Sequence, residues 1–279
     1  MITRTLADPV IDANRHKQGI GAFNVVLLEH AEAIAQGAER AGRPVIFQIS
    51  QNCVEYHGAL APVAAATLSI ARSLRVPALV HLDHADDVDL VAEAVELGLD
   101  SVMFDGSKLP YDDNVALTRR MAALCHDRGV RIEAELGEVG GKDGVHAPGV
   151  RTAPDDARRF VEQTGVDWLA VAVGTSHAMT TREAAVDTDL IARIATTASV
   201  PLVLHGSSGL DDGMLRAAVR AGMTKINIST HLNSLFTDDV RAALDADPDR
   251  VDPRRYIAPA RESVAAEVDR LLRLLALDA

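Results

Sequence analysis

One pattern repeats eight times along the 279 residues of the chain: a short apolar segment typical of a β-strand, a loop, and an amphipathic stretch of helix length. Strands that alternate with helices form right-handed βαβ units and a parallel sheet. Eight such units in a chain of this length predict an α/β fold, a closed (β/α)8 TIM barrel. The predicted strands are Ile20–Asn24, Val45–Ser50, Ala78–Asp83, Ser101–Asp105, Arg131–Leu136, Trp168–Gly174, Leu202–His205 and Lys225–Ser229.

Helical patterns lie between these strands, and a glycine or a proline follows nearly every one. A doubly wound open sheet is the alternative fold, but it more often has a glycine-rich turn after its first strand, which Val25–Leu28 lacks. We expect a C-terminal helical extension, appended to the barrel from Asp239 onward, and a single domain over residues 1–279. The predicted helices are 28–41, 59–74, 88–97, 114–128, 154–164, 190–197 and 211–221.

Charge and composition exclude several classes of partner. The formal net charge is −12 and only 3% of the residues are aromatic, whereas nucleic-acid binding calls for a basic face or stacking rings. No apolar run approaches the roughly 18 residues of a membrane helix, and no signal peptide is recognisable. Cys53 and Cys125 are too isolated to indicate a disulfide framework or a thiolate metal cluster. We therefore expect a cytoplasmic protein with a small-molecule substrate and no membrane partner.

Polar residues are concentrated at the C-terminal ends of the predicted strands, where TIM barrels carry their active sites. Three histidines follow the third, sixth and seventh strands. Three imidazoles leave an open position on a divalent metal ion, as in a catalytic zinc site; for each histidine taken singly, a core residue bonded to the backbone is the alternative. The strand-end residues are Asn24, Ser50, Asp83, His84, Asp105, Glu133, Glu135, His177, His205 and Asn227.

Carboxylates accompany the predicted metal ligands. Asp83 adjoins the first of them, where it can act as a general acid or base on a metal-bound substrate. His81, two residues earlier, is expected to support the site from behind. Asp105 and Glu135 offer oxygen ligands for a second divalent or monovalent cation. Ion pairing at the barrel rim is the alternative for these two and for Glu133.

Small and hydroxyl-bearing residues follow the last two strands, and each group precedes a helix. Such loops form the phosphate site common in this fold, because helix N-termini attract anions. A glycine-rich loop after the fifth strand, residues 137–146, predicts a lid that contributes Lys142 or Asp143; a solvent loop is the alternative. The predicted phosphate-site residues are Gly206, Ser207, Ser208, Asn227, Ile228, Ser229 and Thr230.

Several motifs occur together in one order along nearly the whole chain. They are Gly21-Ala22-Phe23-Asn24, His81-Leu82-Asp83-His84, Ser101–Asp105, Glu133–Gly137, Gly140-Gly141, Val173–His177, Leu202–Gly209 and Lys225–Thr230. In these motifs the chain resembles the class II, zinc-dependent ketose-bisphosphate aldolases, which include the fructose-1,6-bisphosphate and tagatose-1,6-bisphosphate enzymes. The resemblance extends through Asp252-Pro253-Arg254 into the final helix.

The resemblance implies cleavage of a ketose phosphate to dihydroxyacetone phosphate and an aldehyde such as glyceraldehyde 3-phosphate, by a homodimer or homotetramer. Asp83 would transfer the proton of the C4 oxygen, and Asp143 would supply the lid carboxylate that protonates the carbon. Asp105 and Glu135 would lie at a second metal position, and Arg261 would bind the distal phosphate across a dimer. The implied Zn2+ ligands are His84, His177 and His205. The implied phosphate ligands are Gly206, Ser208, Asn227, Ser229 and Thr230.

Three departures from the family motifs leave the aldehyde product and the C4 stereochemistry open. The lid reads Lys142-Asp143 where the family has Gln or Glu followed by Glu, so its carboxylate is one methylene shorter. Ala178 follows the histidine where the family has glycine, which crowds a backbone that approaches phosphate. Thr180–Arg182 replaces aromatic and lysine residues.

Two other functions are compatible with the same barrel. A Schiff-base aldolase needs a lysine at a C-terminal strand end; of the four lysines, Lys108 fits, whereas Lys225 is expected at the opposite end because it begins its predicted strand. A non-catalytic sugar-phosphate-binding barrel would keep the phosphate site and lack turnover. A class II aldolase acting on a different phosphorylated ketose is a further alternative.

Overall fold

Eight parallel strands close into a barrel in the computed structural model, which describes residues 8–136, 151–175 and 185–278. Each strand pairs with the next along the chain, and β8 pairs with β1. The predicted (β/α)8 barrel is therefore confirmed. The strands are β1 Ile20–Asn24, β2 Val45–Ser50, β3 Ala78–Ala85, β4 Ser101–Phe104, β5 Arg131–Leu136, β6 Trp168–Val171, β7 Leu202–Leu204 and β8 Met223–Ile228.

Helices surround the barrel, and the described ones lie close to the predicted segments. Two short helices, α1 and α3, were not predicted because seven residues are too few to show a helical period. The helices are α1 Pro9–Arg15, α2 Leu28–Ala41, α3 Gln51–His57, α4 Leu60–Ser73, α5 Val88–Glu96, α6 Tyr111–His126, α7 Pro154–Thr164, α8 Thr188–Thr197, α9 Asp212–Ala221, α10 Thr230–Ala246 and α11 Pro253–Leu275. In the described part of the chain, no helix is both long and apolar enough to span a membrane.

Alternate residues of each strand point into the barrel, as the pleat requires. The inward residues near the strand starts are apolar and form one cluster, which Val10 and Ala13 of α1 close from below. Farther along the strands the inward positions become polar, and Gln48, Glu133 and Lys225 are completely buried. The apolar inward residues are Ile20, Ala22, Ile46, Leu79, Trp168, Ala170 and Val203. The interior is therefore a packed apolar base beneath a polar layer.

The C-terminal helical extension is confirmed, and it is built into the wall of the barrel. Helix α11 packs along α2 and α10 and also contacts α9 and β1, and its Val264 and Leu271 are buried in the main core. Gly37 on α2 makes this approach close, since a Cβ there would lie 2.6 Å from the carbonyl oxygen of Ala265. The helix predicted as an appendage therefore completes the outer ring between α9 and α2.

Candidate active site

A β-bulge in β3 turns two successive side chains toward the mouth of the barrel. Leu82 pairs with Val102 and Ala85 pairs with Phe104, so β3 has one more residue than β4 between these two pairs. His84 lies in the bulge with a φ of 51°, in the left-handed region. Adjacent strand residues ordinarily face opposite sides of a sheet, and a bulge re-aims one of them. The bulge thereby brings the imidazole of His84 to the same side as its inward-facing neighbour.

Two overlapping groups of potential metal ligands meet at this mouth. Asp83, His84 and His205 each present one ligand atom, and these atoms lie within 4.8 Å of one another. The same limit holds for His84, Asp105 and Glu135. Imidazole and carboxylate ligands of this kind suit zinc, and added carboxylate oxygens suit a harder cation beside it. The structure therefore brings these five predicted site residues together.

Asp105 orients the imidazole of His84. Its Oδ2 lies 2.8 Å from His84 Nδ1. Its Oδ1 accepts hydrogen bonds from the hydroxyl of Ser107 at 2.6 Å and from the backbone N–H of Ser107 at 3.2 Å. A carboxylate that holds one ring nitrogen of a histidine leaves the other nitrogen directed at a metal. This arrangement therefore suits metal binding through Nε2 of His84 rather than through Nδ1.

His205 is completely buried between two carboxylates. Its Nδ1 lies 2.9 Å from Glu135 Oε2 and its Nε2 lies 3.0 Å from Glu133 Oε1. Burial by itself lowers the pKa of His205, but the hydrogen bonds to Glu133 and Glu135 outweigh it and raise the pKa to about 9. Two carboxylates therefore compensate a buried cation here, and a metal ion that replaces the proton meets the same favourable charge.

Asp83 is held by two side-chain amides. Asn24 donates from Nδ2 to Asp83 Oδ2 at 3.3 Å, and Asn227 donates from Nδ2 to Asp83 Oδ1 at 3.5 Å. Burial by itself raises the pKa of Asp83, but the positive charges of His84 and Lys225 outweigh it and hold the pKa below its usual range. Asp83 is therefore an oriented, ionised carboxylate beside the potential metal ligands.

Lys225 lies inside the barrel, and the expectation that it would sit at the opposite end was wrong. Strand β8 begins at Met223, so Lys225 is its third residue and points inward. Its Nζ is 2.8 Å from Glu133 Oε2 and 2.9 Å from Asn227 Oδ1. Burial raises the pKa of Glu133, but Lys225 and the hydrogen bond from His205 hold it at about 2. Glu133 is thus part of a buried ion pair.

His81 lies behind the site, as its position two residues before Asp83 indicated. Its Nδ1 is 2.9 Å from the hydroxyl of Ser101, and its Nε2 is 3.6 Å from Glu133 Oε2. Burial and the ammonium group of Lys225 lower the pKa of His81 to about 3. His81 is therefore a neutral residue of the polar layer.

The loops after β7 and β8 lie side by side. Gly206 has a φ of 65° and precedes a short 3-10 helix over Ser207–Gly209. Ser208 Oγ accepts a hydrogen bond from the backbone N–H of Ser229 at 3.4 Å. Helix α10 begins at Thr230, and in the described part of the chain no side chain caps its first turn. Its free N–H groups and the neighbouring hydroxyls form a cradle suited to an anion.

Some predicted substrate residues have other roles within the protein. The hydroxyl of Ser207 donates to the carbonyl of Asn227 and so joins the loop after β7 to strand β8. Ser50 lies beside Asp83 in the strand register, and its Oγ caps α3 by accepting from Cys53 N–H at 3.2 Å. The side chain of Ile228 is buried in the core between strands and helices.

Arg261 lies on α11 and pairs with Glu32 on α2 at 2.6 Å. Among the described residues, Arg261 forms its ion pair with Glu32 and not with a predicted site residue. Other predicted residues lie outside the described ranges: the ligand His177, the lid residues Lys142 and Asp143, and the departure Ala178.

Sequence reasoning missed several residues of the site. Gln48 donates from Nε2 to Asn24 Oδ1 at 3.2 Å, and Asn114 donates to the carbonyl of Glu135 at 3.3 Å. Thr175, by contrast, belongs to the motif Val173–His177, and its hydroxyl donates to the carbonyl of His205 at 2.6 Å. Gln48 could have been found from the alternation of side chains along β2. It lies two residues before Ser50, and residues two apart in a strand face the same side.

A sequence model of the family described as fructose-bisphosphate aldolase class-II matches residues 4–278. The chain belongs to this family. The resemblance in its motifs is thereby confirmed, and so is its class of reaction: this class II aldolase is a carbon–carbon lyase built on a TIM barrel.

Individual relatives agree with the family. The aldolase is 38% identical over 253 residues to the "Probable fructose-bisphosphate aldolase" of Bacillus subtilis, with 89% of each chain covered. It is 34% identical over 273 residues to the fructose-bisphosphate aldolase of Staphylococcus epidermidis, with 96% of each covered. Among solved structures, it resembles the YdjI aldolase of Escherichia coli K12 with a TM-score of 0.85, 29% identity, and coverage of 97% of this chain and 96% of that one.

Proposed function

We propose that this chain is a zinc-dependent aldolase that reversibly cleaves a ketose bisphosphate, fructose-1,6-bisphosphate or tagatose-1,6-bisphosphate. The products are dihydroxyacetone phosphate and glyceraldehyde 3-phosphate. The observation that carries the proposal is the convergence of Asp83, His84 and His205 within 4.8 Å at the barrel mouth. An acid/base carboxylate directly beside two imidazole ligands is the arrangement that metal-assisted carbon–carbon cleavage needs.

The residues that would hold zinc are His84 and His205, together with His177 from outside the described ranges. The donor set fits this ion, since each of the two described imidazoles has a carboxylate partner of the kind that orients metal-binding histidines. The chemistry that zinc supplies when bound is that of a Lewis acid, which stabilises the negative charge developing on a substrate oxygen as the C3–C4 bond breaks. Asp105 and Glu135 would hold a second cation.

Asp83 accepts the proton of the C4 hydroxyl in the cleavage direction. The electron pair of the C3–C4 bond stays with C3, and C4 leaves as the carbonyl carbon of the aldehyde. In the direction of synthesis, Asp83 returns this proton to the C4 oxygen. The lowered pKa of Asp83 keeps the carboxylate ionised, which is the form that can accept a proton. Protonation of C3 completes dihydroxyacetone phosphate, and we assign that step to Asp143.

The phosphate of the dihydroxyacetone half would bind between the loops after β7 and β8. Gly206, Ser208 and the first turn of α10 provide N–H and hydroxyl donors there. These donors anchor one end of the substrate, so that its C3–C4 bond reaches Asp83 and the metal ligands. In a homodimer or homotetramer, Arg261 would bind the distal phosphate of the substrate that is held in a neighbouring subunit.

The test is a coupled assay of aldol cleavage over a panel of ketose mono- and bisphosphates. We expect cleavage of one or both bisphosphates, loss of activity after exhaustive chelation, and recovery when zinc is added. Activity that survives chelation, but is lost when borohydride traps the enzyme with its substrate, would instead indicate a Schiff-base lysine. Tight phosphate-ligand binding without cleavage in the presence of zinc would indicate a binding protein.

A further inference from the structure

A buried chain of hydrogen bonds links Lys225 to the proton-transfer carboxylate. Lys225 Nζ donates to Asn227 Oδ1 at 2.9 Å, and Asn227 Nδ2 donates to Asp83 Oδ1 at 3.5 Å. Lys225 is completely buried. We propose that Lys225 is a positioning residue, which orients Asn227 so that its amide N–H faces Asp83. This inference rests on the proposed function, since it assigns Lys225 to the proton transfer at C4.

The donor chemistry of lysine determines how the amide of Asn227 is oriented. An ammonium group has three N–H donors and no acceptor, whereas a side-chain amide carries both. The atom of Asn227 that faces Lys225 must therefore be its oxygen, and its NH2 group is left to face Asp83. Without this donor, the amide of Asn227 is free to rotate and present its oxygen to the carboxylate, where two acceptors oppose each other.

The other side of Asp83 is built in the same way. Asn24 donates from Nδ2 to Asp83 Oδ2 at 3.3 Å, and its own Oδ1 accepts from Gln48 Nε2 at 3.2 Å. Each amide that contacts the carboxylate therefore has its oxygen occupied by a second buried donor. On the β8 side that donor is Lys225, which reaches Asn227 because residues two apart in a strand face the same side.

The same ammonium group also reaches the side of the site with the metal ligands. Its Nζ lies 2.8 Å from Glu133 Oε2, and Glu133 Oε1 lies 3.0 Å from His205 Nε2. Loss of Lys225 could therefore act through the ligand His205 as well as through Asn227. The experiment must separate these two routes.

Two reactions distinguish an effect of Lys225 through Asn227 from an effect through His205. Cleavage requires proton transfer at C4, whereas exchange of the C3 proton of dihydroxyacetone phosphate with solvent involves no C4 oxygen and needs only the metal and the residue that protonates C3. A defect confined to Asp83 slows cleavage and leaves exchange unchanged. A defect in the metal site slows both. Wild-type cleavage of a ketose bisphosphate is the prior control; if it is absent, the proposed function has failed rather than the role of Lys225.

The variants are Lys225→Met and Lys225→Gln in the zinc-loaded enzyme. Their side chains have equal length, and only glutamine keeps N–H donors. We expect Lys225→Met to lower kcat for cleavage at least about tenfold, with zinc content, KM and C3 exchange within about twofold of wild type. Lys225→Gln should recover part of the cleavage rate.

Three results would overturn the assignment. They are wild-type cleavage by Lys225→Met, loss of exchange or zinc in parallel with cleavage, and equal cleavage by the Met and Gln variants. If Lys225→Met does not fold, Lys225→Gln carries the test alone. Its shorter side chain should slow cleavage several-fold with exchange unchanged, and a parallel loss of both reactions would refute the role.

Discussion

At the scale of single residues, the site combines charges that each need a partner. Asp83, Glu133, His205 and Lys225 are all buried, and an isolated buried charge is costly. Here every carboxylate has a cationic or amide neighbour, so the site is stable as a network. Removal of one member is therefore expected to leave its neighbours without a partner. Variants must be chosen to keep the shape of the side chain as well as to change its charge.

Asp83→Asn keeps the shape of the side chain and removes its capacity to accept the C4 proton. We expect cleavage to fall by at least about a hundredfold, because a positioned general base contributes on this order, while zinc content stays at the wild-type level. The measurement is kcat for cleavage together with metal analysis. Asp100→Asn is the control, since Asp100 accepts from Val80 N–H away from the site. Equal rates for wild type and Asp83→Asn would remove Asp83 from its role.

At the scale of elements, the contact between α10 and α11 contains a half-buried ionic cluster. Glu267 on α11 lies 2.7 Å from His231 Nε2 on α10 and 2.7 Å from Arg270 Nε. Burial raises the pKa of Glu267, but the hydrogen bonds from Arg270 and His231 outweigh it and hold the pKa at about 2. Because α10 begins at the predicted phosphate cradle, this cluster also holds the helix of that cradle in place.

Glu267→Gln is expected to lower the free energy of unfolding by about 2 kcal/mol at neutral pH, the magnitude of charge-assisted hydrogen bonds. The folded pKa lies below the ordinary value of 4.5. The stabilisation is therefore present above pH 4.5 and is lost as the pH falls from 4.5 toward 2. Urea denaturation at pH 7, 5 and 4 measures this.

Glu262→Gln is the control on the same helix, because Glu262 is exposed and pairs with Arg40 at the surface. Its loss should lower the free energy of unfolding less than the loss of Glu267 does, because solvent screens a surface ion pair. A difference between wild type and Glu267→Gln that stays constant from pH 7 to pH 4 would contradict the electrostatic origin.

At the scale of the whole molecule, His205 as a metal ligand would connect metal binding to stability. It lies on the inside of the barrel after β7 and contacts Glu133 and Glu135 of β5. An ion held between β5, His205 and His84 of β3 would bind the folded chain and not the unfolded one, so it would stabilise the barrel by mass action. A bound metal ion would thus also cross-link the strands at the centre of the fold.

Zinc at about a hundred times its Kd should raise the Tm of the chelator-stripped enzyme by about 5 °C or more. His205→Gln should lose this shift and most of its bound zinc. His81→Gln, a change in the polar layer behind the ligands, should retain both. Thermal unfolding with and without zinc, combined with metal analysis, provides the measurement. The same zinc-dependent shift in His205→Gln would refute the ligand assignment.

The barrel could be predicted from the sequence because eight strand and helix periods are local properties, set by which residues lie two or four positions apart. The same periods placed Asp83, Asp105, Glu135 and His205 at one rim. They could not reveal the bulge that re-aims His84, since a register shift depends on the neighbouring strand.

The short helices were missed for lack of a full period, and Lys225 was misplaced because β8 begins two residues before the predicted strand. The partners inside the barrel follow from which strands face each other across its centre. Lys225 and Asn227 lie on β8, Glu133 lies on β5, and Asp83 lies on β3. Sequence by itself therefore determined the architecture and the chemical types at the rim. Only the closed barrel decided which charges are paired, because burial and pairing depend on residues far apart in the chain.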